Sequence, residues 1–425
     1  MKVRSETTRK LGVFGITVAL NGVISLITIP IVVSRVGADA WASMATGQSI
    51  GASLAALVLF GWGLTGPATV AQAAVARRPR MFLDSLAARG VLLLPLLALQ
   101  AAVTVAIVPH EKVVALVAGT AMLLAGASAN WFFTGEGRSG RFLMLDTVPR
   151  VLGTLMGLAL VVTTGHLILF ALAQLTGSIV AMVGSSIAIL RGHPLDYRGA
   201  LSWPHIWRTL VEQRHGVVAT GLNAAFTPAV LGIVAVASPG LLPVFVLANR
   251  LTGFIGMALS PMFLLFQGWV PAARGAELGR RIRLSGLTTA IAAVLSGILC
   301  GALLPLFGLV LTHGEVVVEP ALAVAFGALA IVQTGSPFLS AVGLMSVGQV
   351  RLIARSTLVG IPLAILILVV VELLGQVEFA VWGLVVGGGL VAAWQIIALV
   401  SAVRGMPEQA EVEEILVEPL VAAVP

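Results

Sequence analysis

An arginine in the middle of a long apolar run calls for a chemical reason. Arg250 stands in Val246-Leu247-Ala248-Asn249-Arg250-Leu251, near the centre of the apolar stretch 241–266. If that stretch crosses a bilayer, a bare guanidinium at its centre costs at least about 2.5–3.5 kcal/mol on insertion scales. It must then face a watery cavity or an anionic partner, or bond to backbone carbonyls between helices. The planar fork of an arginine suits phosphate and diphosphate, and Asn249 adds an amide beside it. Arg35 follows Pro30 at the end of the first apolar run, where it either pairs with Asp39 or faces a cavity. Arg138, Arg141 and Arg150 cluster where the fourth run ends and the fifth begins. Topology accounts for these three, and headgroup binding at a cavity mouth is their second reading. Gln48 enters through a faint internal repeat. Ala19-Leu20-Asn21 matches Gly221-Leu222-Asn223, and the same offset sets Gln48 opposite Arg250.

The chemistry that is missing narrows the choice. No Asp or Glu falls in the middle of an apolar run: Asp39, Asp84, Glu111, Asp146, Glu315, Glu319, Glu372 and Glu378 all lie at run ends or in polar segments. A carrier of cationic drugs would be expected to hold a buried carboxylate. His110, His166, His193, His205, His215 and His313 lie in loops or at run ends, without metal-ligand spacing, and read as solvated surface residues. No Walker motif is present, and Cys300 is the single cysteine. No catalytic residue, metal or cofactor is expected.

The elements that must position these groups are membrane helices. Of 425 residues, 58% are hydrophobic and only 10% are charged, against about 25% charged in a soluble domain. About twelve runs approach the roughly 20 apolar residues that a crossing helix needs. The first is 11–33 and the last 379–403; the second is 41–64, the fourth 113–133 and the fifth 147–162. Cytoplasmic loops are rich in Lys and Arg, and here the basic residues alternate strictly from loop to loop. All but Arg35, Lys112 and Arg250 of the 25 fall on one side. That side includes both termini, so the expected location is a cell (cytoplasmic) membrane, crossed many times, with both ends cytoplasmic. The net charge of +7 is then a matter of topology and not of nucleic-acid binding.

The fold class expected is an all-α polytopic membrane protein in two six-helix lobes. Residues 1–195 form the N-terminal lobe, 196–216 a cytoplasmic connecting loop, 217–405 the C-terminal lobe and 406–425 an acidic cytoplasmic tail. The connecting loop contains Trp203-Pro204-His205-Ile206-Trp207, which reads as a short interfacial helix. Outer loops are short, leaving no room for an extramembrane catalytic domain, so the chain is not read as an enzyme. Gly47-xxx-Gly51, Gly153-xxx-Gly157 and Gly383-xxx-Gly387 are small-residue packing faces, and Pro30, Pro228 and Pro261 are candidate kinks.

Three stretches carry a resemblance to a known family. They are Asn21 to Gly37, with its Pro30, Arg35 and Gly37; Asn130-Trp131-Phe132-Phe133-Thr134-Gly135-Glu136 leading to Pro149-Arg150; and Leu247-Ala248-Asn249-Arg250-Leu251 followed by Pro261. In this order they resemble the Wzx-type polysaccharide flippases of the multidrug/oligosaccharidyl-lipid/polysaccharide exporter superfamily. The resemblance implies two lobes around a central cavity and translocation of an undecaprenyl-diphosphate-linked oligosaccharide by alternating access. It implies as partners the lipid-linked glycan, the lipid bilayer, and a polysaccharide polymerase or glycosyltransferases. It also implies that Arg250 and Arg35 bind the diphosphate. A cation-coupled multidrug antiporter of the same superfamily and a non-transporting envelope-assembly scaffold are the alternatives.

Overall fold

The computed structural model describes residues 2–311, 317–374 and 379–404. The expected tail at 406–425 lies outside them, as do His313, Glu315 and Glu378. Among the described residues the chain is helical and has no strand. Eleven of the helices among the described residues are long and apolar enough to cross a membrane. The first apolar run adds another helix, continuous over 35 residues. The protein is therefore a multi-pass, all-α membrane protein.

The chain divides into two compact units, Met1–Gly221 and Leu222–Pro425. The first holds α1 (Lys2–Val36), α2 (Ala38–Leu59), α3 (Trp62–Gln72), α4 (Arg78–Ile107), α5 (Lys112–Leu123), α6 (Asn130–Glu136), α7 (Ser139–Phe142), α8 (Val148–Thr164), α9 (Leu167–Leu190), α10 (Tyr197–Ala200), α11 (Trp203–Glu212) and the start of α12 (Arg214–Ala237). The second holds the rest of α12 with α13 (Leu242–Trp269), α14 (Gly275–Leu311), α15 (Pro320–Pro337), α16 (Val350–Leu373) and α17 (Ala380–Arg404).

Helices in lipid have no hydrophobic force between them, so close contact depends on small residues. A Cβ on Gly47 or Gly51 of α2 would collide with the carbonyl oxygens of Ala115 and Gly119 on α5. Gly153 of α8 meets Ala173 and Gly177 of α9 in the same way, and Gly387 of α17 meets Ala364 of α16. Each of the three glycine pairs thus seats one helix directly on its neighbour.

Two of the apolar runs are not single helices. The second, 41–64, stops at Leu59 and turns through Phe60 (φ 46°) and Gly61 (φ 85°), both left-handed, before α3 begins. A Cβ at Gly61 would lie 2.9 Å from the backbone of Gly216 and Val217, so the turn is fixed both by its dihedral angle and by a tight contact. The fourth, 113–133, tightens into a 3₁₀ segment at Leu124–Ala127 and breaks at Ser128 before α6.

That break explains an unexpected arginine. Arg89, one of the basic residues that the sequence assigns to the cytoplasmic side, lies within α4 and is fully buried. Its Nη1 donates to the carbonyls of Gly126 (3.2 Å) and Ser128 (2.8 Å), and its guanidinium lies 5.7 Å from the Trp131 ring centroid. One nitrogen of the guanidinium thus satisfies two backbone carbonyls at the helix break, which would otherwise be costly in a dry interior.

The connecting segment is likewise more ordered than a loop. It contains α10 and α11, with Ile206 and Leu210 of α11 buried. His205, read as a solvated surface residue, is only partly exposed, and its Nε2 lies 2.9 Å from Asp84 Oδ1 on α4. Arg80 reaches the same carboxylate at 2.9 Å and donates to the carbonyl of Asp196 at 2.7 Å. The reason is tertiary: α11 lays its apolar stripe inward, which brings His205 onto the acid of α4.

Candidate functional site

The best-formed polar site begins with a proline. Pro149 has no N–H to donate to the carbonyl of Leu145, one turn earlier. The chain widens there into a π segment, Leu143–Thr147, and the Ser185 hydroxyl donates to the Leu145 oxygen at 3.1 Å in place of the missing amide. Such π segments recur at functional sites because they re-aim the side chains around them. Here the segment carries Asp146 into the protein, buried, and α8 follows with Arg150. Arg150 Nη2 lies 3.4 Å from Asp146 Oδ1. The sequence places Asp146 at a run end or in a polar segment. It is instead an internal carboxylate, held by the arginine one turn on.

The glycines of α8 and α9 set what lies opposite. A Cβ on Gly177 would stand 2.6 Å from the Pro149 carbonyl oxygen. The backbones therefore approach closely at this level, and Gln174 and Ser178 of α9 come to share a wall with Arg150. Gln48 of α2 donates from Nε2 to Gln174 Oε1 at 2.8 Å. Thr28 of α1 completes the polar lining, its hydroxyl donating to the Ile24 carbonyl at 2.7 Å.

Together these groups line a cavity of about 400 Å³ inside the first unit, with Thr28, Gln48, Arg150, Thr154, Gln174 and Ser178 as its polar residues and Trp41 among its apolar ones. Arg150 is the only ionisable side chain in the lining. Its Nε is buried and has no acceptor. The Thr154 hydroxyl is committed to the Arg150 carbonyl at 3.1 Å. The arrangement offers a cation, flanked by amides and hydroxyls, to an acceptor-rich ligand.

Of the expected site residues, the structure therefore brings together Gln48 and Arg150. Arg35 lies on α1, seven residues beyond Thr28 and thus on the same face, about 10 Å further along the helix. Arg35 is exposed and forms no ion pair with Asp39 among the described residues. Arg138 is exposed and stands 3.8 Å from Glu136. Arg141 is exposed on α7. Neither of the last two lines the cavity.

In the second unit, Asn249 and Thr252 of α13 line a separate space of about 540 Å³ with Ser260, Gln267, Gln333 and Thr334. No ionisable group is in that lining. Arg250 does not line that space; it stands in an exposed stripe of α13 with Val246, Phe254 and Met257, while Phe245, Ala248 and Leu251 are buried. Arg250 has no ion-pair or hydrogen-bond partner among the described residues. Gln174 and Ser178 were not singled out from the sequence. Their signal was present, as polar residues at helical spacing within an otherwise apolar run.

No family model matches the chain, and no curated protein matches it. Solved structures do. A MATE protein in a bent conformation is similar over 94% of this chain and 96% of its own, with a TM-score of 0.70 and 14% identity. A multidrug resistance MATE family transporter in an outward-facing conformation is similar over 94% of this chain and 97% of its own, with a TM-score of 0.64 and 13% identity. A MOP superfamily transporter from Pyrococcus furiosus is similar over 94% and 96%, with a TM-score of 0.67 and 13% identity; a binding pocket of reverse polarity is said to suggest a different function for that protein. At these identities the likeness is one of fold, and it extends over nearly the whole chain.

Proposed function

We propose that this protein is a transporter that translocates an undecaprenyl-diphosphate-linked oligosaccharide across the cytoplasmic membrane by alternating access. The observation that carries the reading is the cavity of the first unit, whose single ionisable lining residue is a cation, Arg150. A diphosphate supplies several acceptor oxygens and negative charge, and arginine recognises both at once. The MATE-like fold supports transport as the activity, and the reverse-polarity pocket described for the Pyrococcus furiosus protein supports a substrate of a different class. Arg150 is the first contact for the diphosphate, with Gln48 shaping the wall opposite through Gln174. Arg35 is a further contact in the first unit, and Arg250 is a separate anion contact in the second, exposed on α13. Glycan-assembling enzymes are the expected suppliers of the substrate.

The test is export in cells. Arg150→Ala and Arg250→Ala variants, each checked for expression and folding, should lose export of the lipid-linked glycan. Undiminished export by both would remove the proposed anion contacts.

A second reading, a cation-coupled multidrug antiporter, is favoured by the likeness to a multidrug resistance MATE transporter. It predicts that overexpression protects cells from cationic dyes. The cavity linings of both units lack a carboxylate to hold such a cation, which is why the anionic substrate is preferred.

A further inference from the structure

The second unit contains a groove that the transport reading does not use. It lies among α14, α15 and α17, has a volume of about 800 Å³ and is almost wholly apolar along its length. Its two charged lining residues are Arg283 and Arg404. Arg283 sits near the start of α14 and Arg404 ends α17, the ends to which the distribution of arginines assigns the cytoplasmic face. From Arg283 the lining continues along α14 to Val294, and from Arg404 back along α17 to Ala392. At 1.5 Å per residue those stretches are about 16–18 Å long. Half of a hydrocarbon core is about 15 Å thick. The groove is therefore one leaflet deep, with cations at its headgroup end. Arg404 has no partner among the described residues, and Arg283 makes only a 3.4 Å bond to the Gly279 carbonyl. The groove is kept open in part by Gly335, where an added Cβ would meet nothing within 4 Å.

We propose that this groove is a binding site for an anionic phospholipid of the cytoplasmic leaflet, with an acyl chain along α14, α15 and α17 and the phosphate between Arg283 and Arg404. Charge complementarity selects the occupant. An apolar groove alone takes any chain, but two arginines at its inner mouth favour a headgroup with net negative charge. Each basic residue near an anionic surface contributes about a five-fold preference. The site is distinct from the cavity around Arg150 and stands or falls independently of it.

The test uses the full-length protein in vesicles of phosphatidylcholine containing a photoactivatable phosphatidylglycerol, with the crosslinked peptides mapped. Labelling should concentrate on α14, α15 and α17 and exceed that from a photoactivatable phosphatidylcholine. The double variant Arg283→Gln/Arg404→Gln should lose about 25-fold of that preference. Gly335→Leu, which projects into open space, should block labelling by both lipids while leaving the protein folded. Equal labelling by the two lipids in the groove, or unchanged labelling in the double variant, would overturn the proposal. So would displacement of the phosphatidylglycerol probe by an equimolar isoprenoid diphosphate, since the groove would then belong to the transported lipid.

Discussion

Replacing Arg150 by alanine should weaken binding of a short isoprenoid diphosphate to the purified protein by about 10- to 150-fold. The magnitude follows from the hydrogen-bond inventory of the cavity. Arg150 Nη2 is engaged at 3.4 Å by Asp146, while Nε is buried without an acceptor. A diphosphate oxygen would bond to the part of the guanidinium that lines the cavity, and a hydrogen bond to a charged group contributes about 1.5–3 kcal/mol net. Salt screens partly buried pairs less than exposed ones, so the effect should persist at physiological ionic strength. Arg150→Lys keeps the charge and loses the planar fork, and should recover only part of the affinity. Asp146→Asn should act in the opposite direction. It removes the carboxylate that competes with the ligand for the guanidinium, so binding should tighten several-fold. The assay is calorimetric titration of the detergent-solubilised protein with farnesyl diphosphate, with farnesol as the uncharged control. Unchanged affinity in a folded Arg150→Ala variant would refute the reasoning. So would a loss of affinity in Asp146→Asn as large as that in Arg150→Ala.

Three other substitutions or labels test the architecture around the site. Gly153→Leu places a side chain where even a Cβ stands 2.6 Å from the Ala173 carbonyl oxygen; separating α8 from α9 should cost about 1–3 kcal/mol, read as a lower melting temperature in detergent together with loss of diphosphate binding. Arg89→Lys keeps a cation in α4 but gives up the Nε–H bond to the Ser85 carbonyl (3.3 Å) and the planar contact with Trp131, at a cost of about 1–3 kcal/mol; a melting temperature equal to the parent's would show that the helix break does not depend on the guanidinium. Cys300, the single cysteine, is fully buried in the second unit, so a maleimide should label it only after denaturation, and prompt labelling of the native protein would contradict the packing of α14.

The helical class and the number of apolar runs were legible because they rest on local properties: the length of each run and the side on which its flanking arginines fall. The site was legible only in part. Arg250 stood out because its neighbours in sequence are apolar, whereas the cavity belongs to Arg150, whose neighbours in sequence look like an ordinary positively charged helix end. What distinguishes Arg150 is the widened turn that Pro149 imposes and the closeness of α9, and the second of these depends on Gly177, which is distant in sequence. Arg89 was misplaced for the same reason. It satisfies the Gly126 and Ser128 carbonyls between α5 and α6, and nothing within α4 records that the chain breaks there. His205 pairs with Asp84 only once α11 has docked. Each miss is a contact between segments far apart in the chain, while each success is a pattern within one run.

The central claim is movement of a diphosphate-linked lipid from one leaflet to the other, and a reconstituted translocation assay measures it directly. Vesicles containing the purified protein and a fluorescent undecaprenyl-diphosphate-linked oligosaccharide would be probed with an impermeant reagent that reads only the outer leaflet. The account predicts protein-dependent exchange of the labelled lipid between leaflets, slowed at least ten-fold in Arg150→Ala. Exchange no faster than in protein-free vesicles, from protein shown to be folded, would contradict it.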